Sequence, residues 1–174
     1  MSSEAIRIAG PDLLDTITEA DLLSDLRAVA EGGWLILDDT VLLRRWYASY
    51  HGDRGHRNAI DYEIAVNGRG VPDFDIADSG EACVPLLLRR GAAFAWSALH
   101  KAHHELPEVR LAAYISVSPM LVDIDPLRFD TDHHTGTMTF CALGPDRRLH
   151  IDPAQATDCV VAIFSEDCAE PLPR

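Results

Sequence analysis

Histidine and aspartate are the residues of this chain best equipped for chemistry, and they occur in groups. In "LHKAHHE", His100 and His104 stand four residues apart, the spacing at which two imidazoles on one helix face can hold a metal ion. The helical zinc motif with that spacing carries its catalytic glutamate directly after the first histidine, and Lys101 occupies that position. The ligands are present without the base. The plainer role for these histidines is to border the core in the last turn of a helix, where the dipole favours imidazolium.

The second group is "FDTDHHTGT", residues 129–137, extended upstream to Asp123 and Asp125 and downstream to His150. Carboxylates from Asp123, Asp125, Asp130 and Asp132 suit magnesium or calcium, whereas His133, His134 and His150 suit zinc, iron or copper. Asp130 and Asp132 are followed by "HHTGTMTF", which lacks the further ligands of a helix-loop-helix calcium site. Adjacent histidines of an extended chain project to opposite sides, so an inward His134 implies an outward His133. Asp123 and Asp125 would share a strand face, where paired carboxylates raise one another's pKa. A site joining both groups would use His100, His104, Asp132, His134 and His150. No cofactor is assigned, and a divalent metal is the one kind these residues would suit.

The third group is "RRWYASYHGDRGHR". Arg44, Arg45, Arg54 and Arg57, interleaved with Trp46, Tyr47 and Tyr50, have the forks and flat faces that hold a phosphate or carboxylate. Its alternative is internal pairing with the acidic N-terminal region. No glycine-rich phosphate loop is present, because "NGRG" lacks the flanking pattern, and no GxSxG elbow marks a serine nucleophile.

The elements that must position these groups follow from periodicity. "TEADLLSDLRAVAEGG" reads as a helix, with Thr18 as N-cap, Leu22, Leu26 and Val29 on one face, and Gly32 and Gly33 as the stop. A short helical turn at "GPDLLDTI" precedes it. "WLILDD" has the compact apolar run of a buried strand, and "TVLLRRWYASY" reads as a helix turning Leu42, Leu43, Trp46 and Tyr47 inward. Alternation of Ile60, Tyr62, Ile64 and Val66 into Asn67-Gly68 predicts a β-hairpin, its second arm pushed to a sheet edge by Pro72. "PLLLRRGAAFAWSALHKAHHEL" returns to helical spacing, open to a break at Gly91 and ended by Pro107. Strand periods follow in "RLAAYISVS", "LVDID", "TGTMTFCALG", "RLHID" and "DCVVAIFSED", with "GPDRR" as a hairpin turn. Helices crowd the first part and strands the last. The fold expected is α+β, a mainly antiparallel sheet of about five to seven strands with three or so helices packed on it. A single globular domain spans residues 1–174: helix-rich 1–107, strand-rich 108–166 and an irregular tail 167–174.

Composition bounds the function. The 174 residues carry 28 acidic and 15 basic side chains, a net charge of −13. Duplex nucleic acid is disfavoured as a partner, since phosphate neutralisation needs surplus cations. No apolar run approaches the roughly 20 residues that span a bilayer, so no membrane role is expected. "MSSEAIRIAG" lacks the basic start and apolar centre of a secretory signal, which points to the cytoplasm. The four cysteines form no CxxC pair and read as reduced, buried thiols. Charge is uneven as well: residues 1–39 hold nine acids and two arginines, residues 40–70 five arginines and three acids.

These features favour a non-enzymatic acidic module of the immunity- or inhibitor-like kind, which occludes a basic protein through acids such as Asp12, Asp15, Glu19, Asp21 and Asp25. The alternatives are a small metal-dependent enzyme with ligands from residues 100–150, and an anionic small-molecule binder using the Arg44 to Arg57 loop.

Overall fold

A single helix of 22 residues, α6 (Val84–Glu105), forms the spine of the structure, and about half of the other elements pack on it. The computed structural model describes residues 1–52, 58–77, 80–120, 122–125, 128–130, 133–144 and 151–174. Helix α6 starts with Pro85 in its first turn and ends before Pro107, as its sequence predicts. Gly91 does not break it. A Cβ at Gly91 would lie 2.7 Å from Ile115 Cγ2, so the glycine lets the helix approach the sheet closely.

That sheet has four antiparallel strands in the order β3 (Arg69–Gly70), β7 (His134–Leu143), β4 (Arg110–Pro119), β8 (Cys159–Phe164). One face of β4 sends Leu111, Ala113, Ile115 and Val117 against α6, joined by Met138 and Phe140 of β7 and Val161 and Ile163 of β8. The opposite face buries Ala112, Tyr114 and Cys141 in a smaller cluster. All four cysteines are free and buried; burial pushes the Cys159 thiol up to about 11 and raises Cys168 as well.

Four expectations need correction. The hairpin predicted over 60–72 is instead helix α5 (Ala59–Asn67), followed by the short strand β3. Asn58 caps that helix, its side chain accepting from the Asp61 N–H at 2.8 Å. The period-2 alternation was outweighed by Glu63 and Asn67, four residues apart and both wholly buried. The helix expected over 40–50 begins as strand β2 (Thr40–Leu43), and only Arg44–Ala48 is helical, as α4. The helix expected over 18–33 is interrupted. Thr18 does form a capping box with Asp21, but it caps a 3-10 turn (Glu19–Asp21), and α3 (Ser24–Glu31) starts after an extended Leu22-Leu23 pair. Gly33 then takes φ +69°, the left-handed turn that ends the α3 region. Finally, β1 (Trp34–Leu37) is only half buried, with Ile36 50% exposed.

Two further short helices, α1 (Ser3–Ala9) and α2 (Leu13–Thr16), precede the 3-10 turn. Strands β5 (Val122–Asp125) and β6 (Arg128–Asp130) pair with each other, not with the main sheet. The architecture among the described residues is therefore α+β with antiparallel pairing throughout, but the strands divide into a four-stranded sheet and two hairpins.

The β1–β2 hairpin stays separate for a specific reason. Helix α5 inserts two polar side chains between β2 and the outer edge of β7. Glu63 accepts from the Val41 N–H with one oxygen and from the Ala142 N–H with the other, both at 2.8 Å. Asn67 accepts from the Leu43 N–H at 2.9 Å and donates to the Val41 carbonyl at 2.8 Å and the Phe140 carbonyl at 3.4 Å. These side chains take the place of strand-to-strand hydrogen bonds. Above them Trp34, Trp46, Phe94 and Phe140 close an aromatic cluster with centroids 5.2 to 6.3 Å apart, which ties β1, α4, α6 and β7 together.

Candidate partner-binding site

The hairpin ends in a two-residue turn, Asp38-Asp39, with Leu37 paired to Thr40. Asp38 takes φ 53°, the one positive φ outside glycine among the described residues. Aspartate tolerates that region better than most side chains, but the conformation still carries strain. Behind the turn the inner face of the hairpin lifts from the main sheet and leaves a cleft of about 290 Å³. Its walls are Ile36, Val41, Val109, Ala142 and Leu143, and its rim carries Asp38, Asp39 and Glu108. None of the lining residues is basic. Ile36, 50% exposed, extends the apolar surface out of the cleft.

The acids expected to meet a partner are differently disposed. Asp21 is committed internally: Arg89 holds both its oxygens at 2.8 Å, and the Thr18 N–H donates to it. Burial alone would raise the Asp21 carboxyl, but the Arg89 and Thr18 hydrogen bonds outweigh it and hold it below the usual aspartate range. Glu19 lies 3.6 Å from Arg27. Asp12 just before α2, Asp15 on α2 and Asp25 on α3 are exposed.

The histidines of α6 hold the C-terminal segment. His100 Nδ1–H donates to the Cys168 carbonyl at 2.9 Å, and His103 Nδ1–H donates to the Ser165 carbonyl at 3.1 Å. Trp96 Nε1–H extends the row to the Glu170 carbonyl at 2.9 Å. Since a carbonyl only accepts, each Nδ1 carries the proton. His104 is exposed, its ring edge-on to His100 at 4.6 Å. His134 sits elsewhere. It pairs with Pro119 at the far end of β4, while Ser165 accepts at its beginning, where its Oγ takes the Leu111 N–H. Eight residues of strand separate the two places, roughly 25 Å at 3.3 Å per residue. His100 and His104 therefore do not meet His134, and no group of three or more metal-ligating side chains forms among the described residues. Asp132 and His150 lie outside the described residues. Asp123 and Asp125 lie on β5 on either side of a register irregularity in its pairing with β6.

Of the arginine group, Arg54 and Arg57 lie outside the described residues. Arg44 donates to the Trp34 carbonyl at 2.7 Å, and the stem of Arg45 covers Gly32. The residue that sequence reasoning missed is Arg69. Its guanidinium lies over the Trp46 ring, 5.2 Å from the centroid, and among the described residues donates, at 2.6 Å, only to the Gly68 carbonyl. Burial lowers its pKa, and no carboxylate pairs with it among the described residues. Nothing local in "NGRG" marks that position; the nearness of Trp46 is purely tertiary.

Comparison with protein-family models, with curated proteins and with solved structures found no match. Among the described residues no helix is long and apolar enough to cross a membrane.

Proposed function

We propose that this protein is a non-enzymatic acidic module that binds a basic protein through the cleft under the β1–β2 hairpin. The observation that carries this reading is a cleft lined by five apolar residues and three acidic ones, with exposed Ile36 at its mouth. At about 290 Å³ the cleft lies at the lower end of small-molecule sites, which run from roughly 300 to 1,000 Å³. It suits side chains of a macromolecular partner better than a whole metabolite. An apolar centre inside a charged rim is also the anatomy of protein interfaces, where the rim steers encounter and the centre supplies affinity.

A photo-crosslinking residue at Ile36, which lines the cleft, tests the reading. The expected result is capture of a protein of net positive charge, reduced about tenfold in the Asp38→Asn, Asp39→Asn, Glu108→Gln triple variant and likewise at high salt. Asparagine tolerates the left-handed turn at position 38, so the variant keeps the hairpin. Capture that is indifferent to neutralisation and to salt would sink the proposal.

One observation favours a second reading, the anion binder. Arg69 is a half-buried guanidinium with donors to spare above an aromatic face. Inorganic phosphate at about ten times its Kd would then stabilise the fold by about 1.4 kcal/mol, a rise of several degrees in Tm. Chloride at matched ionic strength would not, and Arg69→Met would abolish the effect. An unchanged melting curve in phosphate removes this reading.

A further inference from the structure

Hydrogen bonds leave one gap on the outer edge of β1. Val41 turns its N–H to Glu63 and its carbonyl to Asn67, so both point away from β1. Its cross-strand partner is Ile36. In an antiparallel ladder, the residues of a pair that does not exchange hydrogen bonds direct their main-chain groups outward, so the N–H and carbonyl of Ile36 face away from the hairpin. The same parity turns Trp34 outward, but its edge is closed: Glu105 accepts from the Trp34 N–H at 3.2 Å, and Arg44 donates to its carbonyl at 2.7 Å. No protein group meets either main-chain group of Ile36 among the described residues. A sheet edge ordinarily protected by side chains thus lies open at one residue, beside the acidic cleft.

Resting on the partner-binding reading above, we infer that the partner enters as an extended segment that pairs antiparallel with Ile36 and carries the order basic, any, apolar. Antiparallel pairing satisfies both groups of Ile36 from one partner residue. A parallel strand would need two residues, one of them running beside the capped Trp34. Residues directly opposite share a face, and Ile36 lines the cleft. The partner residue opposite Ile36 therefore directs its side chain to the apolar cleft. The partner residue two positions earlier falls beside the Asp38-Asp39 turn, near the acidic residues that line the cleft. A lysine or arginine there completes the charge.

The test uses capped peptides on the intact protein, read by the ¹⁵N–¹H resonance of Ile36. Acetyl-Thr-Arg-Thr-Val-Thr-Thr-amide is expected to shift that resonance and slow its hydrogen exchange. It should bind about tenfold more tightly than the same peptide with N-methyl-valine, which removes one main-chain donor. The order-reversed peptide, with arginine after valine, should be weaker by a similar factor. Equal binding of the N-methylated peptide, or no perturbation of Ile36, overturns strand addition and leaves the acidic cleft standing. Equal binding to the Asp38→Asn, Asp39→Asn, Glu108→Gln variant overturns the acidic reading itself.

Discussion

Replacing Glu63 with alanine is expected to destabilise the protein by about 3 to 5 kcal/mol. The carboxylate is wholly buried and answers two main-chain donors on different sheets, the N–H of Val41 and the N–H of Ala142. Alanine leaves both donors buried without an acceptor, at about 1 to 3 kcal/mol each, and opens a cavity besides. For a chain of this size the loss corresponds to a fall of roughly 10 °C or more in Tm. Glu63→Gln discriminates the cause. Glutamine fills the space but can present only one oxygen, so one N–H faces an NH₂ group; an intermediate loss of about 1 to 3 kcal/mol is expected. Denaturant titration of the three proteins checks the order. Were glutamine to behave like the wild type, the two-sided hydrogen bonding would not be what joins hairpin to sheet.

Phe140→Ala is expected to cost a similar 3 to 5 kcal/mol by a different route. Phe140 is wholly buried at the point where Trp34 of β1, Trp46 of α4 and Phe94 of α6 converge, with centroids 5.7, 6.3 and 5.5 Å away. Truncation removes the ring that all three share, and elements from different parts of the chain cannot collapse together to fill the hole. Phe140→Leu, which keeps most of the volume, is expected to lose no more than about half as much. The measurement is the midpoint of urea unfolding at unchanged slope. A loss under about 1 kcal/mol for alanine would show that the cluster relaxes freely and that the hairpin is held by the α5 hydrogen bonds alone. Glu63 and Phe140 act on the same junction, so their double variant is expected to lose less than the sum.

Much of the fold was legible locally. Helix α6 declared itself by length, apolar stripe, Pro85 and Pro107, and strands β4, β7 and β8 by their period and bounding turns. The misreadings at 40–50 and 60–72 share a cause. Leu42 and Leu43 suit a helix or a strand equally, and Ile60 to Val66 alternates while also carrying a helical i, i+4 pair. The deciding interactions join Glu63 and Asn67 to main chain about 22 to 79 residues away, a distance no local window includes. The "GPDRR" turn and "RLHID" strand span residues 144–152, of which 145–150 lie outside the described residues, and Ile151 and Asp152 are not in a strand.

The candidate site shows the same division. Acidity, the absence of the catalytic glutamate beside His100 and the "DD" between two apolar runs can all be read from residue order. Residue order cannot show that Asp21 answers Arg89, nor that Asp38, Asp39 and Glu108 line one cleft.

By itself the sequence determined the class of fold, the long central helix, the main strands and the strong negative charge, since each depends on periodicity or composition within a few neighbours. Only the tertiary structure decided which acidic residues line the cleft and that no group among the described residues meets the main chain of Ile36. Those facts depend on which distant group occupies each hydrogen bond. In this protein two side chains of one helix, Glu63 and Asn67, settle that by standing between two sheets.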